Sequence, residues 1–339
     1  MGRSVGGAVI IDVHAHCIPP TFLSWLRGRG GDGGVRLFDG DGDGAAHVEV
    51  AGITVGPLRS ELSDLGRRLQ AMDRMGIDVQ ILAGWIDLVA YELDGDAAAL
   101  YVRAHNESLA EEAGRHPDRF GSLATVPLQT PVAAADELDH VMTTLGMQGV
   151  QIGTRIGGLR LDQVDLDPFW AAAERLGAFV LLHSGRPPDG NDPTGHFLDT
   201  MVGRPAETTT AIASLIFSGV LERFPGLTIC AVQGGGFAPY HTGRLDRGYA
   251  ARRETDVGSI GRPPSTYLRS LYTDTIVHDP AALALLVARV GAGHVLLGTD
   301  YPFEMGEDDP VALIRSVPGL DDSARTAMLG ATAAGLLGR

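Results

Sequence analysis

The segment Ile11-Asp12-Val13-His14-Ala15-His16 places two histidines two positions apart at the end of a short apolar run. In a strand, residues i and i+2 point to the same side, so imidazoles at this spacing can converge on one metal ion. Two more residues of ligand type stand at matching places. His183 follows directly on the apolar run 179–182, and Asp300 follows the run 295–297 within Gly298-Thr299-Asp300-Tyr301-Pro302. Three imidazoles and one carboxylate suit zinc or a similar divalent ion, with a further position left for water or substrate. Such a centre can hold a substrate oxygen or ionise a bound water.

These four residues can meet only if the elements carrying them share one rim. Strand-like runs recur at 9–13, 79–83, 123–126, 149–152, 179–182, 227–232, 271–273 and 295–297. Helical patterns separate them. Leu65, Leu69 and Met72 fall at i, i+4 and i+7, with Gly76 as a stop. Further helices are expected at 96–113, 136–145, 168–176 (stopped by Gly177), 205–224, 280–290 (opened by Asp279-Pro280), 311–314 and 323–337. Short apolar strands alternating with helices predict an α/β fold, a closed (β/α)8 barrel of the TIM type. The competing arrangement, an open doubly wound sheet that binds nucleotides, calls for GxGxxG after the first strand, and none is present. The Gly- and Asp-rich stretch 28–58 reads as a small β insertion after the first strand, within one domain spanning 1–339. A long polar loop, 186–195, follows the fifth strand, where barrel loops cover the active face.

Composition removes several alternatives. The 339 residues carry 27 Lys+Arg against 42 Asp+Glu, a formal charge of −15, and all 27 are Arg. A Schiff-base lysine, a lysine on a nucleotide phosphate and a carbamylated lysine bridging two metals are therefore excluded. The acidic surplus argues against nucleic acid as partner. Two cysteines, Cys17 and Cys230, are too few for a disulfide framework and point to a reducing compartment. Residues 1–7 lack the apolar core of a cleavable signal, and the weakly polar stretch 208–221 is too short to span a bilayer. A soluble cytoplasmic protein is expected.

The sequence resembles the amidohydrolase superfamily (the amidohydrolase 2 family), and within it the metal-dependent decarboxylases of the 2-amino-3-carboxymuconate 6-semialdehyde decarboxylase type. Besides the segments around His14 and Asp300, the motifs are Gly149-Val150-Gln151-Ile152-Gly153-Thr154, Gly203-Arg204-Pro205-Ala206-Glu207-Thr208-Thr209, Gly234-Gly235-Gly236, and Tyr272-Thr273-Asp274 with His278-Asp279-Pro280. The resemblance implies one catalytic divalent ion (zinc first, manganese second) held by His14, His16, His183 and Asp300, and a homodimer. It implies that Arg59 holds a substrate carboxylate and that Arg244 and Arg252 are donated across the dimer interface. Arginine suits this because its planar fork binds carboxylates through paired hydrogen bonds.

One departure matters. Gln233 stands where the family has an acid–base histidine, and an amide cannot exchange a proton near pH 7. Two mechanisms remain: Asp300 does the proton work with Gln233 orienting the substrate, or another imidazole, His241 or His196, substitutes. Asp274 is a candidate to orient a ligand histidine. His47, His105, His116, His140 and His294 are given no role. The expected activity is decarboxylation of a small unsaturated or aromatic acid, that is, a carboxy-lyase using a metal and Asp300. The alternatives are a metal-dependent hydrolase or hydratase and a diverged isomerase or cyclase. The expected partners are a small anionic substrate and a second copy of the chain, with neither nucleic acid nor membrane.

Overall fold

The computed structural model describes residues 9–40, 45–185, 196–251 and 260–339. Eight parallel strands follow one another in chain order: β1 (Ile11–His16), β2 (Val79–Ala83), β3 (Phe120–Ser122), β4 (Gly149–Gly153), β5 (Phe179–His183), β6 (Thr228–Ala231), β7 (Tyr272–Asp274) and β8 (Val295–Leu296). Two junctions are narrow. Ala124 bridges to Val150 and joins β3 to β4, and Val13 N donates to Leu297 O at 2.9 Å and joins β8 to β1. The ring closes as a (β/α)8 barrel, which leaves no open sheet edge.

The strands are apolar on both faces because both faces are covered. One set of side chains, including Ile11, Val13, Ile81, Phe179, Leu181 and Val232, fills the barrel interior. The alternate set, including Leu82, Val150, Ile152, Val180, Leu182 and Ile229, packs in the large core shared with the helices. Leu65–Met75 and Asp167–Leu176 end at Gly76 and Gly177, each in the left-handed conformation. No described helix is long and apolar enough to cross a membrane.

Helices Pro20–Arg29, Ala238–Ala251 and Pro264–Leu268 are not among the elements expected from sequence, and three expected elements are displaced or broken for a clear physical reason. The third strand lies at Phe120–Ser122, ahead of the expected 123–126, because the ladder to β2 pairs Gln80–Leu82 with those residues. Leu123 and Ala124 instead continue the wall through Leu123 N to Leu82 O (2.8 Å) and the bridge to Val150. The long helix expected over 205–224 breaks into Arg204–Phe217 and Val220–Arg223, because Gly219 takes φ 75° between them. The last helix is interrupted at Gly330, where a Cβ would lie 2.0 Å from Val9 O; the absent side chain lets the helix press against the start of β1.

Between β1 and β2, helix Pro20–Arg29 precedes three short antiparallel strands, Val35–Asp39, Ala46–Val50 and Ile53–Val55. Val35, Val48, Val50 and Val55 bury a common core with Phe22, Leu26 and Tyr101. The chain leaves this sheet at Arg59, beside the loop that follows β8.

Candidate active site

The C-terminal ends of the strands bring four ligand-type residues together. His14 and His16 come from the end of β1, His183 from the end of β5 and Asp300 from the loop after β8. One ligand atom from each lies within 4.8 Å of the others. His14 Nε2 and His16 Nε2 are 3.2 Å apart, and Asp300 Oδ1 stands 3.5 Å from the first and 3.0 Å from the second. Close approach of β7, β8 and β1 makes this possible. A Cβ on Gly298 would lie 2.9 Å from Asp274 Cβ and 3.1 Å from His14 Cβ.

Each imidazole is fixed from behind. His14 Nδ1 donates to Asp274 Oδ2 (2.8 Å), His16 Nδ1 to Gly84 O (2.8 Å) and His183 Nδ1 to Ser184 O (2.9 Å). With its proton on Nδ1, a neutral ring offers the Nε2 lone pair inward. Asp274 is itself held by backbone N–H groups of Gln233 (3.0 Å), Gly234 (2.7 Å) and Ile276 (3.1 Å). It is placed to orient a ligand histidine, the role for which the sequence made it a candidate. Asp12 staples β1 to β8 by accepting from His14 N (3.0 Å), Thr299 N (3.0 Å), Thr299 Oγ1 (2.6 Å) and Gln80 Nε2 (2.8 Å); burial pushes its carboxyl up to about 6. Arg68, fully buried, donates to Gln80 Oε1 (2.9 Å) and to the His16 carbonyl.

The electrostatics suit a cation. Burial favours the neutral ring at all three histidines. At His16 and His183 it prevails and lowers the proton affinity, helped by the neighbouring imidazoles. At His14, Asp300, Asp274 and Asp12 outweigh burial and raise it. Burial would raise Asp300, but the three imidazoles hold its carboxyl well below the usual carboxylate range. His183 Nε2 is buried without a hydrogen-bond partner among the described residues. A buried unpaired nitrogen facing two other Nε2 atoms and a carboxylate is costly unless something positive sits between them. The donor set therefore fits a divalent metal, and the chain has a His-His-His-Asp metal site.

A cavity of about 530 Å³ opens on this cluster. Trp85, Phe237 and Phe303 give it aromatic walls, and Gln233, Arg204 and His278 line it with polar groups. Gln233 Oε1 accepts from Thr208 Oγ1 (3.0 Å) and Ser184 Oγ (3.3 Å), which leaves its amide nitrogen for the cavity. Arg204 donates to Asp87 Oδ2 (3.0 Å) and to Ser184 O (3.1 Å), the same carbonyl that holds His183. His278 Nδ1 lies 3.2 Å from Glu307 Oε2. Three non-glycine residues on successive strand-end loops share positive φ: Gln233 (59°), His278 (54°) and Asp300 (56°). Such conformations are uncommon and concentrate at sites where a side chain must be aimed.

The other sequence candidates are placed differently. Arg59 sits beside the Pro302 carbonyl and pairs with Glu304, which lines the cavity. Arg244 and His241 are exposed on helix Ala238–Ala251, and neither lines the cavity. His196 is exposed beside Phe197 and Thr200, which do line it. Arg252 lies outside the described residues, as do Arg186, Pro187 and Pro188. Sequence reasoning gave no role to Arg204 or His278. The available signal was position, since each lies close to the end of a barrel strand or to the loop that covers the rim.

Comparison with known proteins agrees with this geometry. A family model described as Amidohydrolase matches residues 11–339. The chain is 33% identical over 330 residues to 2-amino-3-carboxymuconate-6-semialdehyde decarboxylase of Dictyostelium discoideum, covering 97% of this chain and 91% of that protein. The fold resembles 5-carboxyvanillate decarboxylase of Sphingomonas paucimobilis with a TM-score of 0.79 and 25% identity, covering 98% and 99% of the two chains. It also resembles a dihydroxybenzoic acid decarboxylase of Polaromonas sp., solved with bound manganese and 2-nitroresorcinol, with a TM-score of 0.79, 24% identity and 98% and 97% coverage. The barrel, the metal-ligand cluster and a family match running almost from end to end establish that the chain belongs to the amidohydrolase family.

Proposed function

We infer that the protein is a metal-dependent decarboxylase, a carboxy-lyase that releases CO2 from a small aromatic or unsaturated carboxylic acid. The observation that carries this is the buried, unpaired Nε2 of His183 facing His14, His16 and Asp300 at the floor of an aromatic-walled cavity. The activities named for similar proteins support it. Three nitrogen donors and one carboxylate suit zinc, and manganese is the second candidate, as in the Polaromonas structure. A bound divalent ion supplies positive charge that holds the substrate carboxylate and steadies the charge developing as the carbon–carbon bond breaks.

The chain's own residues do the rest. Asp300, beside the ligand imidazoles at the cavity floor, is assigned the proton transfer: it takes a proton from solvent and passes it to the carbon that loses CO2. The Gln233 amide nitrogen donates to a substrate oxygen and fixes its pose. Trp85 and Phe303, whose rings pack on each other with centroids 5.2 Å apart, form one aromatic wall against which a flat substrate lies and which excludes water. Arg59 stands at the mouth for an incoming carboxylate. The exposed face of helix Ala238–Ala251, with Tyr240, His241 and Arg244, is the proposed dimer contact, carrying Arg244 toward a second copy's cavity. Two free buried cysteines fit a cytoplasmic location.

The test is direct. Metal-loaded protein is incubated with a panel of hydroxybenzoic and unsaturated dicarboxylic acids, CO2 release is followed, and bound metal is counted by emission spectrometry. Turnover of at least one acid, lost on chelation and restored by zinc or manganese, is expected. Full metal occupancy with no CO2 from any acid overturns the reading.

A further inference from the structure

We propose that His278, backed by Glu307, is the general base of this cavity and takes the proton of a substrate hydroxyl; the proposal rests on the decarboxylase reading above. Among the described residues, the histidines lining the cavity are His16, His183 and His278. The first two point Nε2 into the metal cluster, so His278 is the one lining imidazole left to exchange protons. Its Nδ1 faces Glu307 Oε2 at 3.2 Å, which sets the tautomer: Nδ1 carries the proton, and Nε2 keeps its lone pair on a side chain that lines the cavity. Glu307 is anchored in turn, its backbone N–H donating to Thr299 O at 2.8 Å in the loop that carries Asp300. Carboxylate, imidazole and cavity thus stand in the order used to prime a base.

Two further observations agree. The His278 side chain is 39% exposed, so solvent can exchange its proton, unlike the buried ligand histidines. Its backbone adopts φ 54°, an uncommon conformation for a non-glycine residue that it shares with Gln233 and Asp300 on the neighbouring strand-end loops. The other charged groups facing the cavity are Asp87, Asp199, Arg204, Asp300 and Glu304, and Asp279 beside it is spent capping helix Pro280–Val290.

The O–H bond breaks, its electron pair stays on oxygen and the proton goes to His278 Nε2. The oxyanion enriches the ring carbons ortho and para to it. Asp300, having taken a proton from solvent, gives it to the ring carbon that bears the carboxylate; the carbon–carbon bond then breaks with its electron pair left to the ring as CO2 departs, and the imidazolium returns its proton to the oxyanion. One proton from solvent is consumed and one CO2 released.

The experiment compares metal-loaded wild type, His278→Gln and Glu307→Gln on the hydroxy acid that wild type turns over. His278→Gln is expected to lower kcat/KM about 100-fold through kcat, with unchanged metal content, and to abolish the acid limb of the pH profile. Glu307→Gln is expected to lower kcat several-fold with metal content unchanged, since it removes the acceptor that fixes the His278 tautomer. A His278→Gln enzyme within about threefold of wild type, or one that loses activity while keeping the wild-type limb, overturns the assignment and leaves the decarboxylase reading standing. No CO2 from metal-loaded wild type on any hydroxy acid overturns both.

Discussion

The metal cluster and the rest of the cavity wall are built differently. At the cluster, His14, His16 and His183 are buried and each is tied at Nδ1, and Asp12 and Asp274 spend every oxygen lone pair they can on backbone or side-chain donors. Along the wall, Gln233, Arg204 and His278 are partly exposed and keep donors or acceptors in reserve. A centre that holds a cation needs ligands fixed before the ion arrives, because reorganising them costs affinity. A wall that meets substrate needs groups that are aimed yet can still trade hydrogen bonds and protons. Polar satisfaction in this molecule therefore separates what is held from what is offered.

The largest expected effect comes from breaking the held side. His183→Gln and Asp300→Asn should each lose stoichiometric metal and lower decarboxylation by about 10³-fold or more. Emission spectrometry and CO2 release measure the two together. Loss of activity with metal retained in His183→Gln would mean that this imidazole belongs to the offered side.

A second test uses a buried imidazole that is not tied at Nδ1. His105 packs under Gly84, whose carbonyl holds His16, and edge-on to Phe22 with ring centroids 5.0 Å apart. Its Nδ1 has no partner among the described residues, and burial brings its pKa down from 6.5 to about 4. The unfolded chain binds this proton more tightly than the folded one. The stability from the neutral ring is therefore present above pH 6.5 and is lost as pH falls toward about 4. The loss should reach about 2 kcal/mol, read as the difference between wild type and His105→Phe in urea unfolding at pH 7 and pH 4.5. Equal pH dependence in the two proteins would show that His105 is not held neutral.

The contrast also explains what could be read in advance. The four residues that meet as candidate metal ligands were legible because strand periodicity and strand-end position are local facts, and the apolar runs announced their own ends. Arg59 was expected, from the family resemblance, to hold a substrate carboxylate, but its Glu304 partner belongs to a loop more than two hundred residues away. His278 was invisible as chemistry. Its meaning depends on a carboxylate at Glu307 and on a left-handed turn, and neither has a sequence period. His241 and His196 were chosen by nearness in sequence to Gln233 and to the variable loop. Helix Ala238–Ala251 turns His241 outward, and nearness along a helix says little about which side a residue faces. The break at Gly219 and the shift of β3 to Phe120–Ser122 were likewise settled by partners in space.

A third test falls where the two sides meet. Asp274 accepts His14 Nδ1 with the oxygen that also accepts Gln233 N, so it belongs to both. Asp274→Asn keeps the shape but replaces one acceptor oxygen with an NH2 group facing N–H donors. Metal affinity should fall about 10–100-fold, measured by competition with a chromogenic chelator. Affinity unchanged, with only substrate KM raised, would assign Asp274 to the wall rather than to the cluster.

The smallest effect tests whether the wall can be loosened without touching the cluster. Asp279 follows His278 and caps helix Pro280–Val290, its Oδ1 accepting from Ala282 N at 2.7 Å. Asp279→Ala removes that cap and should cost about 1 kcal/mol in urea unfolding. The cap helps hold the turn that aims His278, whereas β7 itself is pinned by its ladders to β6 and β8. Metal content and chelator competition should therefore match wild type, while kcat/KM on a hydroxy acid drops by a few-fold. If metal affinity fell in step with stability, the cluster and the wall would be one cooperative unit, and the separation between held and offered groups would not survive.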